Sequence, residues 1–383
     1  MSRLSEIAHW LWMEIQFRTS SPMQHVAMPL LHRTKEIARL LVRPYMPLCE
    51  LRGQSQVGPL TVTYGGLGYA KPMLKSMLFV QEPVERKIGR IFVWRPGKLF
   101  LSTNSDLTIV ESDPYLIRKL SSQNALTLPF RVQFVVDLEG EWQEIEQRFR
   151  PKHRRNIRQA QGYGDYEYEI SHHEQDLKMF YHSMYLPNVQ QRHGKLAAIL
   201  PEREAYQLLR HGWLFLVKRD GVYVCGCLGH TRQRIVEFIE MGVLNGDKQL
   251  MREGVTDAMF YLGIRWAHQE GHKGFSFGTS WPYLSGIFQF KRKWGAAVSV
   301  PAHEHKQIWI RVQRNTPAVS QCLNSTPCVV VDSRGELRPL IVTDNPDKVF
   351  PGVEAKWRKL YATPGLGDPL ICSVTDLMET PPF

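Results

Sequence analysis

The chain has 383 residues, of which 43% are hydrophobic and 22% are charged, values typical of an ordinary soluble globular protein. This length accommodates two domains and an extension, and it excludes a small fold that needs disulfides or metals for stability. The net charge of +11 is uneven: residues 1–135 carry 17 Lys and Arg against 9 Asp and Glu, residues 136–312 carry 24 against 20, and residues 313–383 carry 7 against 8. The first two segments therefore form a cationic body that would attract phosphate-rich ligands or anionic surfaces.

Cysteine spacing and hydropathy exclude several other classes of protein. The six cysteines show neither zinc-site spacing nor a disulfide framework, so we expect a reducing, cytoplasmic location and no metal. The N-terminus lacks the basic start and unbroken apolar run of a signal peptide. No window approaches the roughly 18 apolar residues that a membrane span needs.

The first 45 residues have the spacing of two amphipathic helices. One apolar stripe runs from Ile7 to Ile15, and a second runs from Leu30 to Leu41 between basic residues. A basic amphipathic helix can lie on a membrane, although its apolar face more often packs on a domain core. Peripheral membrane contact therefore stays open as an alternative.

Residues 57–137 contain short strand-like runs separated by turn residues. A helix is predicted over Pro114–Ser122, and strands are predicted at Leu60–Tyr64, Ile91–Trp94, Leu99–Leu101 and Phe130–Val136. Together with the N-terminal helices, these elements predict a modest α/β domain over residues 1–135.

The segment Arg148–Arg158 contains six cationic side chains and no carboxylate. Pro151 suits the first turn of a helix, because its missing N–H would be unpaired there. We name the predicted helix from Lys152 to about Gln161 the arginine helix. Like charges one turn apart destabilise a helix, so an anionic partner is expected to face Arg154, Arg155 and Arg158. A solvated basic face without a ligand is the alternative.

Residues 166–312 alternate between strand and helix patterns. Strands are predicted at Tyr166–Ile170, Trp213–Val217, Val222–Leu228, Ile235–Val243 and Phe275–Phe277, with closing runs near Val298 and at Ile308–Ile310. Helices are predicted over Glu174–Tyr185, Pro201–Arg210, a long stretch from the turn at Asp247 to Glu270, and Tyr283–Trp294. The strand Ile235–Val243 is apolar on both faces, which predicts a central position in the sheet.

Residues 313–383 are rich in Pro, Ser and Thr. A hairpin is predicted around Ser333-Arg-Gly335 and a short helix near Val353–Leu360, but no chemical motif is present. We interpret this segment as a small C-terminal extension.

Two motifs in this series resemble the Fem-type and CelD-type branch of the GNAT acyltransferase superfamily. The first is Val136-Asp-Leu, followed by Trp142 and by Lys152-His-Arg-Arg-Asn-Ile-Arg-Gln-Ala160. The second is Phe277-Gly278, followed by Gly286-Ile-Phe-Gln-Phe-Lys-Arg-Lys-Trp-Gly295. The order of hairpin, central strand, turn, long helix, strand and helix also resembles that fold, over roughly residues 130–312.

The resemblance implies an α/β (α+β) fold with two GNAT-like lobes, a mixed central sheet flanked by helices, and a small C-terminal extension. Residues 1–135 would be a companion lobe, 136–312 the acyltransferase domain and 313–383 the extension. It also implies an enzyme that moves an acyl or aminoacyl group from a carrier to an amine by direct attack.

This reaction needs main-chain N–H groups for the developing oxyanion and a carboxylate that takes a proton from the amine. We expect the donor carbonyl at Met241-Gly242-Val243, since Gly242 allows close backbone approach. Glu237 and Glu240 both qualify as the base by position. Strand alternation predicts that they point to opposite faces, so that only one of them faces the cleft. Pairing of each Glu with a strand neighbour, Arg232 or Arg234, is the structural alternative.

Other side chains are candidates for supporting roles. Lys291 is expected to hold a phosphate or the oxyanion, with a solvated basic helix end as the alternative. Tyr283 and Tyr261 are candidate proton donors to the leaving group, although a tyrosine on a helix is more often part of the core. His230 is a candidate base, although a lone histidine is more often structural.

The donor is less well defined. Acyl-CoA-dependent members usually carry Arg/Gln-x-x-Gly-x-Gly/Ala between the central strand and the long helix, where main-chain amides bind the pyrophosphate. Here the corresponding stretch is Asp247-Lys-Gln-Leu-Met-Arg-Glu-Gly254, in which Arg252 and Gly254 are the cofactor-binding candidates. Acyl-CoA is the expected co-substrate, with no permanently bound cofactor. Aminoacyl-tRNA is the alternative, because Fem-type enzymes that use it also lack this loop.

The acceptor implied by the resemblance is an amine-bearing small molecule, a peptide or a cell-envelope precursor. A different class of function is a non-catalytic GNAT-like module that binds nucleic acid or anionic lipid through Arg154, Arg155 and Arg158. Binding by such a module would weaken steeply as salt rises. An enzyme would instead show turnover that Glu237→Gln or Glu240→Gln abolishes.

Overall fold

The computed structural model describes residues 45–92, 104–120, 124–193, 199–284, 286–302, 304, 306–344 and 361–379. The predicted N-terminal helices, the strand Leu99–Leu101 and the helix near Val353–Leu360 lie outside these residues. Within the described ranges, no helix has the length and apolar content that crossing a membrane requires.

The strands of the described residues are short and mostly follow the predicted apolar runs. In chain order they are β1 Tyr45–Gln54, β2 Pro59–Gly65, β3 Val84–Phe92, β4 Leu107–Ser112, β5 Leu126–Pro129, β6 Val132–Asp137, β7 Tyr166–Ser171, β8 Trp213–Arg219, β9 Val222–Arg232, β10 Ile235–Val243, β11 Gly274–Ser280, β12 Ala297–Ser299, β13 Gln307–Val312, β14 Cys328–Val331, β15 Leu337–Val342 and β16 Leu370–Cys372.

The α-helices, in chain order, are α1 Lys71–Leu78, α2 Pro114–Leu120, α3 Trp142–Arg148, α4 Pro151–Gln161, α5 Glu174–Phe180, α6 Leu186–His193, α7 Glu202–His211, α8 Lys248–Arg252, α9 Val255–Gln269, α10 Gly286–Arg292, α11 Pro317–Ser325 and α12 Val374–Glu379. A π-helical turn, Tyr181–Tyr185, joins α5 to α6, and a 3₁₀ turn, Leu244–Gly246, precedes α8.

The chain forms two compact units. The central unit contains the described residues of 134–278 and 291–297, and the flanking unit contains those of 23–133, 279–290 and 298–383. Both units combine helices with mixed sheets, so the predicted α/β class is confirmed. The described part of the C-terminal extension belongs to the flanking unit together with the N-terminal strands.

The central unit is built on the sheet β12-β6-β11-β10-β9-β8-β7. Strands β7 to β10 are antiparallel neighbours, and β11 runs parallel to β10. The hairpin turn between β8 and β9 has positive φ at Asp220 and Gly221, which matches the turn signal in the sequence. The predicted central position of Ile235–Val243 is confirmed, because β9 and β11 lie on its two sides.

Aromatic and aliphatic layers cover the two faces of this sheet. On one face Phe238 of β10 packs against Phe260 of α9 and Phe275 of β11, with ring centroids 5.7 and 4.8 Å away. On the other face a second core cluster joins α5, the π-helical turn and α7 to the sheet, and it includes Leu177, Phe180, Met184, Tyr185, Leu209, Leu214, Leu216 and Leu228. The π-helical turn is thereby fixed against the strands that carry the candidate site.

The flanking unit contains the sheet β3-β1-β2-β4-β13-β5 and the smaller sheet β14-β15-β16. The prediction that Ile308–Ile310 closes the sheet of the second domain was wrong, because β13 pairs with β4 and β5. Ile308 and Trp309 are both fully buried, on opposite faces of the strand. A strand this apolar can enter either sheet, and its sequence does not encode which partner it takes.

Two predicted helices also differ from the structure. The long helix after Asp247 is broken into α8 and α9, because Gly254 between them has φ +87° and a Cβ there would lie 2.9 Å from the Cβ of Ala160. The helix predicted over Tyr283–Trp294 is confined to Gly286–Arg292. The arginine helix agrees with its prediction, since α4 begins at Pro151 and ends at Gln161.

Candidate functional site

Strands β10 and β11 diverge in the middle of the central sheet. The parallel ladder between them joins Ile235, Val236 and Glu237 to Gly274, Phe275 and Ser276, and it ends there. On the other side, β10 stays paired with β9 as far as Val243. Among the described residues, Met241-Gly242-Val243 therefore has ladder partners in β9 and none in β11, and we call this half of β10, which lacks a β11 ladder, its open end. An open strand edge presents main-chain amides that a donor carbonyl can use.

A bulge in β10 changes which side chains share a face. Phe238 pairs with Gly229 and Glu240 pairs with Leu228, so Ile239 is the extra residue. Glu237 pairs with His230, which lies on the same face of β9 as Leu228. Glu237 and Glu240 therefore project from the same face of the sheet. The prediction of opposite faces was wrong, because it assumed an unbroken alternation that the bulge resets by one residue.

The Glu237 carboxylate lies among cations and hydrogen-bond donors. Burial raises its pKa, while the charges of Lys291 and Arg232 and a hydrogen bond from Ser276 partly oppose that rise. The Nε2 atom of His230 lies 3.7 Å from a Glu237 oxygen. Burial and the nearby Arg232 charge lower the pKa of His230 to about 4, which leaves its imidazole neutral at neutral pH. Glu237 is thus a charge-compensated carboxylate.

Lys291 is buried rather than solvated. Its side chain is 7% exposed, its Nζ donates to the Gly278 carbonyl at 3.3 Å, and the same atom lies 5.2 Å from the centre of the Phe134 ring. A buried ammonium group requires nearby negative charge or acceptors. A Cβ at Gly278, whose carbonyl Lys291 contacts, would lie 3.4 Å from a Glu237 carboxylate oxygen, and the Lys291 charge opposes the rise of the Glu237 pKa.

Glu240 lies in a different environment from Glu237. Burial raises its pKa to about 7, and in the described part of the chain the contact that opposes this rise is a hydrogen bond with Tyr185. No cation contributes to this balance among the described residues. A carboxyl group with a pKa near neutrality can both accept and release a proton at physiological pH.

The small size of Gly242 allows the main chain of the π-helical turn to approach β10, whereas the expected neighbour was the donor carbonyl. A Cβ at this position would lie 2.5 Å from the Met184 carbonyl carbon and 2.5 Å from the Tyr185 nitrogen. The side-chain amide of Asn188 also donates to the Met241 carbonyl at 3.3 Å. Gly242 is therefore required by the main chain of the π-helical turn. The prediction that its small size serves the donor carbonyl did not account for this contact.

The arginine helix presents cations without described counterions. His153, Ile157 and Ala160 form its buried side, whereas Arg155 and Arg158 are exposed and Arg154 is partly buried. None of the three arginines forms an ion pair with a described residue. The Nε atom of Arg154 is buried and has no hydrogen-bond partner within the described ranges. This surface is therefore available to an anionic ligand.

The loop after β10 differs from a phosphate-binding nest. The Asp247 carboxylate caps α8 and accepts hydrogen bonds from the amides of Gln249 at 2.6 Å and Leu250 at 3.4 Å. These amides are therefore occupied, and a negative charge already lies at this helix N-terminus. Arg252 is exposed, while Gly254 provides the break that allows α9 to pack against Ala160.

The predicted proton donors have packing roles. Tyr283 is 7% exposed in the core of the flanking unit, and its buried hydroxyl has no hydrogen-bond partner in the described residues. Tyr261 packs edge-to-face against Trp142 at 5.6 Å. Arg234 donates to the Gly271 carbonyl at 2.5 Å and not to either glutamate.

Sequence reasoning missed Tyr185 and Ser276, which contact the two glutamates. Ser276 is opposite Glu237 in the parallel ladder, and that pairing could not be read before the strand partners were known. Tyr185 depends on a π-helical turn for its direction, and no residue pattern marks that turn in the sequence.

A family model described as an acetyltransferase (GNAT) domain matches residues 147–292, the part of the chain that carries β7 to β11 and the arginine helix. Residues 147–292 are thus similar to a GNAT acyltransferase domain, in agreement with the resemblance of the two sequence motifs. Among proteins with curated descriptions, none matches the sequence.

Several solved structures are similar at low identity. FemX is 13% identical with a TM-score of 0.38, and the match covers 70% of this chain and 89% of that one. L-PGS from Bacillus licheniformis is 13% identical with a TM-score of 0.33, over 72% and 87% of the two chains. A tandem GNAT protein from the clavulanic acid biosynthesis pathway is 7% identical with a TM-score of 0.29, over 67% and 79%. Similarity at this level does not identify a donor or an acceptor.

Proposed function

We propose that this protein is an N-acyltransferase that moves an acyl group from acyl-CoA to an amine by direct attack. The observation that carries the proposal is the end of the β10–β11 ladder at Glu237 and Ser276, beside two carboxylates on one face. An open strand edge supplies amides for the oxyanion, and the adjacent carboxylate supplies the base.

Glu240 is the proposed base. It has a pKa of about 7 and no compensating cation among the described residues, whereas Glu237 is compensated by Lys291 and Arg232. The amine nitrogen attacks the carbonyl carbon, the thioester bond breaks, and the amine proton passes to the Glu240 carboxylate. The departing thiolate then takes up a proton from solvent water, and Glu240 returns its proton to solvent before the next turnover. The amides of Met241-Gly242-Val243 on the open side would stabilise the oxyanion during this step.

Lys291 and Glu237 have a supporting role in this proposal. A buried ammonium group beside the reaction centre favours the negative charge that develops on the donor carbonyl. Glu237 balances that ammonium group when no donor is bound. His230 stays neutral next to Glu237 and adds no charge at neutral pH.

The nature of the donor carrier is the open part of the proposal. The capping of α8 by Asp247 favours a carrier that is held by arginine side chains rather than by a nest of amides. Arg154, Arg155 and Arg158 suit the phosphates of CoA, and they equally suit a tRNA backbone. Aminoacyl-tRNA is therefore the second candidate donor. The proposed acceptor is an amine-bearing small molecule, a peptide or a cell-envelope precursor, and a precursor of the last kind would involve peripheral membrane contact.

The first experiment identifies the carrier by mass spectrometry of ligands released from the purified protein. Retained CoA or acyl-CoA supports acyl-CoA as the donor. Retained tRNA supports aminoacyl-tRNA as the donor instead. The second experiment measures release of CoA thiol from acetyl-CoA in the presence of a set of primary amines. Turnover that Glu240→Gln removes supports the mechanism, whereas turnover that survives this substitution contradicts it.

A non-catalytic module is the alternative from a different class. The arginine helix alone would explain binding of nucleic acid or anionic lipid. Affinity that falls steeply with salt, across unrelated nucleic acid sequences and without turnover of any donor, would favour this alternative.

A further inference from the structure

The π-helical turn Tyr181–Tyr185 places a tyrosine hydroxyl at the proposed base. The main chain of this turn packs directly on Gly242, where a Cβ would lie 2.5 Å from the carbonyl carbon of Met184 and the nitrogen of Tyr185. The side chain of Asn188, in the helix that follows, donates to the Met241 carbonyl at 3.3 Å. The turn is therefore attached to the open half of β10 at two consecutive residues.

The Tyr185 hydroxyl can both accept and donate a hydrogen bond. It accepts a hydrogen bond from the Leu200 amide at 2.8 Å, so its own proton is directed to another acceptor. Tyr185 packs in the same core cluster as Leu228, the residue opposite Glu240 in the ladder, so its hydroxyl lies on the Glu240 side of the sheet. An interaction between the two groups opposes the burial-induced rise of the Glu240 pKa. The neighbouring Tyr181 donates to the Leu200 carbonyl at 2.8 Å and does not take part in the contact with Glu240. The two tyrosines thus hold one residue, Leu200, while only Tyr185 contacts the base.

We propose that Tyr185 is a positioning residue for Glu240, and that the π-helical turn exists to deliver its hydroxyl to that carboxylate. The inference rests on the proposed role of Glu240 as the base. A π-helical turn inserts one residue relative to an α-helix and rotates the following side chains by about 100°. An α-helical path through residues 181–185 would therefore give the Tyr185 side chain a different direction relative to β10.

The other titratable groups around Glu240 do not replace Tyr185. Cys227 of β9 is fully buried, and its thiol pKa is raised by burial and by the Glu240 charge. Glu237 lies on the same face and is held by its own partners. His182, on the π-helical turn, is exposed and lies 3.2 Å from Glu202. Burial raises the pKa of Tyr185 to about 12, so its hydroxyl keeps the proton that it donates.

The test is a direct titration of Glu240 by ¹³C NMR on the full chain, labelled at the glutamate carboxyl carbon and assigned with Glu240→Gln. Tyr185→Phe removes the donated hydrogen bond, which stabilises the ionised carboxylate, so the Glu240 pKa is expected to rise by about one pH unit. Tyr181→Phe is the matched control, because it removes a hydroxyl from the same turn and should leave the Glu240 titration in place. An unchanged Glu240 pKa in Tyr185→Phe overturns the inference.

A second variant covers the case in which Tyr185→Phe fails to fold. Site-specific 3-fluorotyrosine at residue 185 keeps the ring and the hydroxyl and makes the hydroxyl a stronger donor. The Glu240 pKa is then expected to fall, and an unchanged value contradicts the inference. This titration needs no substrate, so its failure is distinguishable from failure of the proposed function. Loss of turnover in Glu240→Gln together with an unmoved titration in both Tyr185 variants would reject only the role of Tyr185.

Discussion

The two ends of β10 differ in pairing and in the charge that they carry. Residues Ile235–Glu237 are paired on both edges, and the carboxylate at this end is compensated by Lys291 and Arg232. Residues Glu240–Val243 are paired with β9 alone, and the carboxylate at this end interacts with a tyrosine hydroxyl and has a pKa of about 7. At the end paired on both edges, the Glu237 charge is balanced by nearby cations. At the open end, Glu240 has the pKa expected of a group that transfers protons. Two glutamates three residues apart thus acquire different chemistry from their surroundings.

The sharpest way to test this difference is to remove each carboxylate in turn. Glu240→Gln is expected to lower kcat/KM by about 10³-fold, the usual contribution of a general base. Glu237→Gln should lower it by less, because that carboxylate balances charge and does not accept the proton. Steady-state kinetics with the donor identified by mass spectrometry provides the measurement. Equal losses in the two variants would remove the distinction between the ends of the strand.

A substitution at Gly242 should disrupt the packing of the π-helical turn on the open end of β10. A methyl group there overlaps the main chain of Met184 and Tyr185, so Gly242→Ala is expected to cost about 3 kcal/mol of unfolding free energy. Chemical denaturation measures this loss. Gly58→Ala is the control, because a Cβ at that position has nothing within 4 Å. It should change stability by less than about 0.5 kcal/mol.

The raised pKa of Glu240 also predicts how stability depends on pH. Since the folded-state pKa, about 7, exceeds the ordinary value of 4.5, the folded protein binds more protons between these values than the unfolded chain. Stability therefore falls as pH rises through this window and stays lowered above it. Glu240→Gln should consequently be more stable than the wild type at pH 8, by up to about 3 kcal/mol, and equal to it near pH 4.

Glu253 is expected to show the opposite dependence of stability on pH, which the same thermal or chemical denaturation experiments can measure. The Arg219 guanidinium, 2.6 Å away, lowers the pKa of Glu253, so this residue contributes stability above its unfolded pKa. Glu253→Gln should therefore be less stable than the wild type at pH 8. A Glu240→Gln variant that also loses stability at pH 8 would show that its carboxylate is stabilised in the ionised form, like that of Glu253, which contradicts the raised pKa.

The smallest predicted effect concerns the arginine helix. Arg155→Glu with Arg158→Glu should raise the KM for a phosphate-bearing donor about tenfold and leave the unfolding free energy nearly unchanged, because both side chains are exposed. Arg203→Glu with Arg265→Glu, two exposed arginines on α7 and α9, controls for the same change in net charge outside the arginine helix. An equal rise in KM for that control would mean that the whole cationic surface, and not the arginine helix, attracts the donor.

Local sequence patterns predicted the central unit well. The arginine helix followed from Pro151 and its purely cationic composition, and the hairpin between β8 and β9 followed from Asp220-Gly221. The central position of Ile235–Val243 followed from its apolar faces. Each of these features depends on residues that are close in the chain, where capping, turn chemistry and hydrophobic periodicity act directly.

The features that only the tertiary structure decided all depend on distant partners. The bulge at Ile239 is defined by the register against β9, and it placed Glu237 and Glu240 on one face. The position of β13 was set by pairing with β4 and β5, which lie nearly two hundred residues earlier. Strand register and helix winding are determined by packing across the whole sheet, and a single sequence does not encode them locally. The sequence thus determined which chemical groups are present, and tertiary packing decided that Glu240 lies at the open end of β10 against Tyr185.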